Sequence, residues 1–193
     1  MAPLPSLHIA KASPAWGLIL QSGAVISCSV GVPLTTLLYG ELGLREEQLQ
    51  PVDVLLLDGM PVDDPEKAVV PDGARLALAA GVPGIVGLAM KSGSAVRALR
   101  SGITHTGGEA VNPRPGTILL SLYSLAIPLL AGYFLRRGIM VEAAQVLRYA
   151  RFAPEDRCLF DRAPITARNL PQAFAHMPGS AFLLLTIDEL CRK

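Results

Sequence analysis

The chain has few of the residues from which metal sites and disulfide frameworks are built. Its 193 residues include three cysteines and three histidines, which lie far apart and show neither CxxC nor HxxxH spacing. This scarcity excludes zinc sites and disulfide frameworks of the usual kinds. Charged residues make up only 17% of the chain, the formal net charge is +1, and no block of like charges occurs. The composition therefore gives no reason to expect a nucleic-acid partner.

Complete catalytic signatures are also missing from the sequence. The glycine-containing stretch from Gly81 to Ser94 matches neither GxGxxG nor a P-loop, because Lys91 follows Gly84 too late in the chain. The histidines form no fixed-spacing pattern with a nucleophile. We therefore predict no catalytic residue, no cofactor and no metal, and we expect a binding role rather than an enzymatic one.

The first residues, MAPLPSLHIAK, lack a basic segment followed by a long apolar stretch. A secretory signal is therefore not expected. Three widely spaced cysteines are typical of reduced thiols in an intracellular protein. Together these features predict a cytoplasmic location.

One long run without charge extends from Pro115 to Leu135 and is closed by two arginines. It leaves two alternatives open, a membrane-spanning helix or a buried strand followed by a buried helix. Pro128 favours the second, because it divides the run into pieces that are each shorter than the ~20 residues of a membrane helix. We predict a strand before Pro128, a helix from Pro128 to Arg137, and a stop at Gly138.

The first half of the chain alternates between short apolar segments and turn signals. We predict a hairpin with strands over residues 17–21 and 24–30, then a helix that begins at Pro33. A strand over residues 52–57 ends in the turn Asp58-Gly59, and a closing strand over residues 74–79 follows the turn Pro71-Asp72-Gly73. The order is therefore strand, strand, helix, strand, strand.

This order, with its turn motifs, resembles the ubiquitin-like β-grasp proteins, in particular the sulfur carriers of thiamin and molybdopterin synthesis. The resemblance covers residues 15–80 and rests on Val32-Pro33-Leu34, Leu57-Asp58-Gly59-Met60-Pro61-Val62 and Pro71-Asp72-Gly73-Ala74. It implies an α+β fold in which a helix packs across a β-sheet. The carriers are activated through a terminal diglycine, whereas Gly107-Gly108 is internal here. Sulfur carriage would therefore require proteolysis after Gly108.

The second half contains a weak echo of the first. Residues 29–34 match 124–129, residues 57–62 match 160–165, and residues 71–78 match 178–185, in the same order but at different spacings. Duplication and chance similarity of apolar and turn patterns both remain open. We expect a β-grasp-like module over residues 1–90, a linking helix over 91–101, and a second α+β module over 102–193 with an extra helix over 141–150.

Two segments are candidate binding sites. The loop from Gly81 to Ser94 and the helix after it would surround an anionic small molecule with backbone N–H groups and cations. The residues of this predicted site are Gly84, Gly87, Lys91, Ser92, Arg97 and Arg100. The second segment holds five arginines between Arg148 and Arg168, with Tyr149 and Phe152 among them, and it could contact phosphates or an acidic protein face.

The favoured interpretation is a non-catalytic ubiquitin-like binding or scaffold protein that recognises a partner protein, for example along a sheet edge. Three alternatives remain: an anion-binding protein or enzyme that uses the loop at residues 81–94, a processed sulfur carrier, and a membrane-anchored protein. A homo-oligomer is compatible with all of them.

Overall fold

A computed structural model describes residues 4–11, 13–90, 104–105 and 112–187. The chain has a mixed sheet and several helices, so the predicted α+β class is confirmed. It divides into two compact units, unit 1 with Met1–Ala24 and Leu130–Lys193, and unit 2 with Val25–Leu129. These boundaries differ from the expected modules over 1–90 and 102–193, because the N-terminal segment belongs with the C-terminal part. The linking helix predicted over 91–101 lies outside the described residues.

Strands and helices occur throughout the described part of the chain, with turns and loops between them. The strands are β1 (Ser6–Ile9), β2 (Ala24–Val30), β3 (Val32–Pro33), β4 (Val54–Leu57), β5 (Met60–Pro61), β6 (Val69–Val70), β7 (Ala74–Ala80), β8 (Arg114–Ser124), β9 (Ile139–Glu142), β10 (Arg157–Phe160), β11 (Ala163–Thr166) and β12 (Phe182–Ile187). The α-helices are α1 (Pro14–Gly17), α2 (Glu46–Leu49), α3 (Gly84–Met90), α4 (Ala126–Arg137), α5 (Ala143–Ala150) and α6 (Leu170–Ala173). A π-helix spans Thr36–Glu41, and 3-10 turns span Leu18–Ser22 and Ala167–Asn169.

The sheet strands of unit 2 lie in the order β2-β8-β7-β4-β5. β7 and β8 run parallel, with Leu76 beside Leu120, while β4 pairs antiparallel with β7. Alternate side chains of β7 and β8 are buried and form the core; they are Ala74, Leu76, Leu78, Ile118, Leu120 and Leu122. This period of two is the pattern of strands that bury one face of a sheet. β3 and β6 form a separate small sheet.

The strands of unit 1 lie in the order β11-β10-β1-β12-β9. β1 and β12 run parallel, with Leu7 beside Leu185, while β10 pairs antiparallel with β1 and β9 pairs antiparallel with β12. Fully buried side chains again alternate along the strands; they are Leu7, Ile9, Ile139, Val141, Leu183 and Leu185. Both units therefore have a mixed sheet with a parallel pair of strands inside it.

Each unit contains a tight hairpin with the same backbone conformation. In unit 2, Asp58 and Gly59 join β4 to β5 with φ values of 51° and 81°. In unit 1, Asp161 and Arg162 join β10 to β11 with φ values of 46° and 71°. Positive φ at both central residues is characteristic of the type I′ turn, which matches the twist of the flanking strands. The predicted turn at Asp58-Gly59 is confirmed, and the second sequence match aligns two equivalent hairpins.

The neighbours of the two hairpins correct the other sequence matches. β4 pairs with β7, which runs parallel to β8; β10 pairs with β1, which runs parallel to β12. β1 is therefore the counterpart of β7, and β12 is the counterpart of β8. The match of residues 71–78 with 178–185 is wrong, since it aligned β7 with β12. The match of 29–34 with 124–129 aligned the ends of β2 and β8, which are neighbours in one sheet rather than counterparts.

One predicted strand does not form in the described part of the chain. Residues 17–21 belong to the end of α1 and a 3-10 turn, because Ser13 and Pro14 start a helix. The N–H groups of Trp16 and Gly17 donate to the Ser13 carbonyl at 3.1 and 3.2 Å, and proline suits a first helical turn.

The long uncharged run is a strand followed by a helix, as predicted. β8 ends at Ser124, and α4 begins at Ala126, two residues before Pro128. Gly138 ends the helix with a φ of 90°, and its N–H donates to the Phe134 carbonyl at 3.0 Å. Among the residues that the structure describes, no helix is both long and apolar enough to cross a bilayer.

Candidate functional site

An apolar groove lies beside the π-helix of unit 2. Its volume is about 210 Å³. The groove is lined by Thr35, Leu38, Tyr39, Leu49, Val52, Leu55 and Pro65. Leu38 is only 3% exposed, whereas Tyr39 is 49% exposed. The groove therefore combines a packed apolar floor with an aromatic side chain that is open to solvent.

The π-helix presents one side to the groove. Thr35, Leu38 and Tyr39 lie within one helical turn of each other, so their side chains fall on neighbouring positions of the helix surface. The Leu42 N–H donates to the Leu37 carbonyl at 2.8 Å, the five-residue spacing of a π-helix. Such helices are rare and often occur at functional sites.

The opposite side of the groove comes from α2, the chain that follows it, and β4. α2 begins at Glu46, where the Arg45 N–H donates to Gln48 Oε1 at 3.0 Å in the manner of a capping box. The Val52 N–H then donates to the Leu49 carbonyl at 2.8 Å. This turn brings two apolar lining residues together before the chain enters β4.

The loop that carries Pro65 is tied to both the helix and its own side chains. The Pro65 carbonyl accepts the Thr35 N–H at 3.1 Å. Asp64 Oδ1 accepts the N–H groups of Glu66 and Lys67 at 3.2 and 3.3 Å, and Lys67 Nζ lies 2.8 Å from Asp64 Oδ2. The hydrogen bond from the Lys67 side chain, together with its charge, holds the pKa of Asp64 below its ordinary value. The loop is therefore held in place on the groove side of the unit.

The segment of the chain that supplies the lining of the groove is acidic. Residues 35–67 contain eight Asp and Glu residues against Arg45 and Lys67, a net charge of −6. Glu46, Glu47 and Glu66 are exposed beside the lining residues in sequence. An apolar groove built from such a segment favours a partner that combines an apolar anchor with positive charge.

The anion site predicted from the sequence is described only in part. Gly84 and Gly87 lie in α3, so residues 84–90 form a helix rather than a loop. A Cβ at Gly87 would come within 2.0 Å of the Val82 carbonyl oxygen, so close packing alone accounts for that glycine. Four further members, Lys91, Ser92, Arg97 and Arg100, lie outside the described residues. Binding of an anion there stays a prediction.

The predicted arginine stretch is divided by the fold. Arg168 pairs with Glu155, and Arg162 lies in the turn between β10 and β11. Arg151 lies over the Phe152 ring, with its guanidinium carbon 4.8 Å from the ring centroid. Arg168 and Arg162 therefore have structural roles, whereas Arg151 and Phe152 form a small cluster of a basic and an aromatic side chain.

Metal-binding side chains do not converge in the described part of the chain. No group of three or more His, Cys, Asp or Glu residues there is placed to hold one ion. The sequence-based site predictions did not include the groove either. Its only sequence signal is Tyr39, an aromatic residue among the apolar and threonine residues of the segment PLTTLLYGEL.

Comparisons with known proteins identify no relative of the chain. A scan of protein-family models, a search of curated proteins and a search of solved structures each found no match to the chain.

Proposed function

We propose that this chain is a non-catalytic binding protein made of two β-grasp-like units, and that a partner protein docks in the groove of unit 2. The observation that carries the proposal is the groove itself, with a buried Leu38 at its floor and a half-exposed Tyr39. Protein interfaces are enriched in aromatic side chains at their centre, and apolar pockets there bind most of the anchoring side chains.

The order of elements supports the β-grasp-like character of the units. In unit 2, β2 is followed by the π-helix and the hairpin β4–β5; in unit 1, β9 is followed by α5 and the hairpin β10–β11. Each hairpin is joined to a pair of parallel strands. In each unit the strand of that pair that lies farther from the hairpin, β8 or β12, comes from a later part of the chain than the hairpin.

The π-helix of unit 2 and α5 of unit 1 occupy the same place in the order of elements, but they differ in what covers them. This difference supports a docking role for unit 2. In unit 1, α5 contacts α1, the 3-10 turn Leu18–Ser22 and α6. Trp16 is fully buried there, and its Nε1 donates to Asp156 Oδ2 at 2.8 Å. In unit 2, the surface of the π-helix beside Tyr39 is left open as the groove. A partner would supply the cover that unit 1 provides for itself.

A sheet edge is a less favourable docking site for a partner protein than the groove. β5 and β11 each pair on one side only among the described strands, and each carries a proline, Pro61 and Pro164, at the equivalent position of the two hairpins. Proline removes an N–H that an added strand would need. In addition, the Pro61 carbonyl already accepts the His105 N–H at 2.9 Å. The groove is therefore the better candidate.

Site-specific photo-crosslinking tests the proposal. Tyr39 is replaced by p-benzoylphenylalanine in the full chain, expressed in its native cells, and crosslinked species are identified by mass spectrometry. Met60, which is also partly exposed in unit 2 but does not line the groove, is replaced in the same way as a matched control. We expect a discrete protein adduct from position 39 and none from position 60.

A second variant shows whether the adduct depends on the groove. Leu49→Glu places a carboxylate among the apolar lining residues, which a docked apolar side chain would have to desolvate. We expect the adduct at position 39 to disappear in this variant while its urea unfolding stays cooperative. Equal crosslinking from positions 39 and 60, or an adduct insensitive to Leu49→Glu, would contradict the proposed docking site.

A further inference from the structure

The size of the groove points to a side chain as its occupant. Small-molecule pockets usually enclose roughly 300–1,000 Å³, whereas this groove has about 210 Å³. Its lining offers only the hydroxyls of Thr35 and Tyr39 as side-chain polar groups. These are the properties of a pocket for one apolar or aromatic anchor rather than for a polar metabolite.

The same chain exposes such an anchor in unit 1. Phe152 is 59% exposed, the highest value among the large apolar side chains of the described residues. It follows the end of α5, where its N–H donates to the Tyr149 carbonyl and the Ala153 N–H donates to the Ala150 carbonyl, both at 3.0 Å. These bonds hold Phe152 on a defined turn at the surface.

The anchor is flanked by positive charge. Arg151 lies against the Phe152 ring, and Arg148 is exposed on the last turn of α5. Neither arginine forms an ion pair within the described part of the chain. Residues 136–168 carry seven arginines against four acidic residues, a net charge of +3. The cluster of Arg148, Arg151 and Phe152 is called the basic knob below.

We propose that the partner of the groove is a second copy of this chain, whose basic knob inserts Phe152 into the groove; this inference rests on the docking role proposed above. The groove and the basic knob are complementary in both shape and charge. An aromatic ring enters an apolar pocket, and two arginines that form no ion pair within the described part of the chain meet a groove whose lining lies in a segment of net charge −6. Aromatic and arginine side chains are the residues that contribute most to interface energies, and opposite charges speed association and set the salt dependence.

The contact joins different surfaces of the two copies, the groove of one and the knob of the other. It closes into a two-fold dimer if both contacts form at once, and otherwise it extends to longer assemblies. In either case association depends on protein concentration and weakens with salt, whereas binding to an unrelated partner does not make the purified chain associate.

Sedimentation equilibrium of the purified full chain tests this inference. We expect association over about 2–200 µM at low ionic strength and at least about fivefold weaker association in 0.5 M NaCl, because salt screens exposed charges. Phe152→Ala and Tyr39→Arg are each expected to weaken association by about tenfold or more. Phe182→Ala, at another exposed aromatic residue of unit 1, serves as the control and should leave association unchanged.

A mixing experiment distinguishes the contact between groove and basic knob from non-specific association. Phe152→Ala retains an intact groove and Tyr39→Arg retains an intact knob. An equimolar mixture should therefore form a 1:1 complex at concentrations at which each weakened variant alone is still monomeric. A monomeric parent at all concentrations, or association without this complementation, overturns the inference. If the parent is monomeric but position 39 crosslinks to a different protein, the docking role stands and the second copy is rejected.

Discussion

Asp58 and Arg75 are joined by two hydrogen bonds that close the end of the hairpin in unit 2. The Arg75 N–H donates to Asp58 Oδ1, and the Asp58 N–H donates to the Arg75 carbonyl, both at 2.8 Å. In unit 1, Asp161 makes the same two bonds with Ser6, at 2.8 and 2.9 Å. The aspartate at the first position of each type I′ turn therefore fastens the hairpin to the neighbouring strand.

This relationship predicts equal losses of stability from two distant substitutions. Asp58→Ala and Asp161→Ala each remove a charged hydrogen-bond acceptor, so each should lower the free energy of unfolding by about 1–2 kcal/mol. Urea unfolding followed by circular dichroism measures the change. Asp58→Asn and Asp161→Asn retain an acceptor and should lose clearly less. If only one of the two alanine variants is destabilised, the hairpins are not equivalent.

Substitutions at the second turn position should change the free energy of unfolding in opposite directions in the two hairpins. Gly59 has a φ of 81° and space for a Cβ, so Gly59→Ala meets conformational cost without a clash. We expect a loss of about 1 kcal/mol. Arg162, at a φ of 71°, occupies the same position without being glycine, and Arg162→Gly should raise the free energy of unfolding by about 1 kcal/mol. Gly40→Ala, without a positive φ, is the control; a loss equal to that of Gly59→Ala would contradict the conformational explanation.

The hydrogen bonds that Asp156 accepts in unit 1 predict that its substitution lowers the free energy of unfolding. Asp156 Oδ2 accepts from the buried Trp16 indole at 2.8 Å and from Ser13 Oγ at 3.1 Å. Asp156→Ala leaves the indole N–H without this acceptor and should cost about 1–3 kcal/mol. The chain has one tryptophan, so fluorescence-detected urea unfolding reports the change directly. Asp156→Asn should recover part of the loss, and an alanine variant as stable as the parent would refute the role of this bond.

The loop beside the groove predicts a pH effect. Because the Lys67 hydrogen bond lowers the pKa of Asp64, Lys67→Met should raise that pKa toward its ordinary value. A lowered pKa in the folded state means that the ionised carboxylate favours folding near neutral pH, and that this contribution is lost as the pH falls through the folded pKa. Carboxyl NMR titration of Asp64 in both proteins measures the change. An identical pKa in parent and variant would show that the ion pair is not formed in solution.

Local signals account for the elements that the sequence predicts correctly. Asp58 and Gly59 are turn formers, Gly138 accepts a positive φ, and the helix formers after Glu142 continue as α5. The failure at residues 17–21 has a local cause as well. An apolar stretch such as GLILQ fits a strand or a helix equally well, and the helix start at Ser13-Pro14 decides between them.

Long-range pairing accounts for what the sequence does not predict. β7 and β12 both follow a turn and are both apolar, so their sequences align, yet their hydrogen-bonded neighbours show that β1 is the counterpart of β7. The groove is subject to the same limit. Its lining brings together Tyr39, Leu49, Val52 and Pro65, residues of three separate segments whose approach depends on tertiary packing. Sequence spacing alone contains no signal for such a surface.

The crosslinking yield at Tyr39, compared with that at Met60, shows whether another protein chain covers the groove of unit 2. Both positions are partly exposed in the free chain, so solvent exposure alone gives them similar chances of reaction. If the groove is a docking site, a discrete adduct forms from position 39 only, and this adduct is lost in Leu49→Glu. Equal yields at the two positions, or no adduct from position 39, would contradict it.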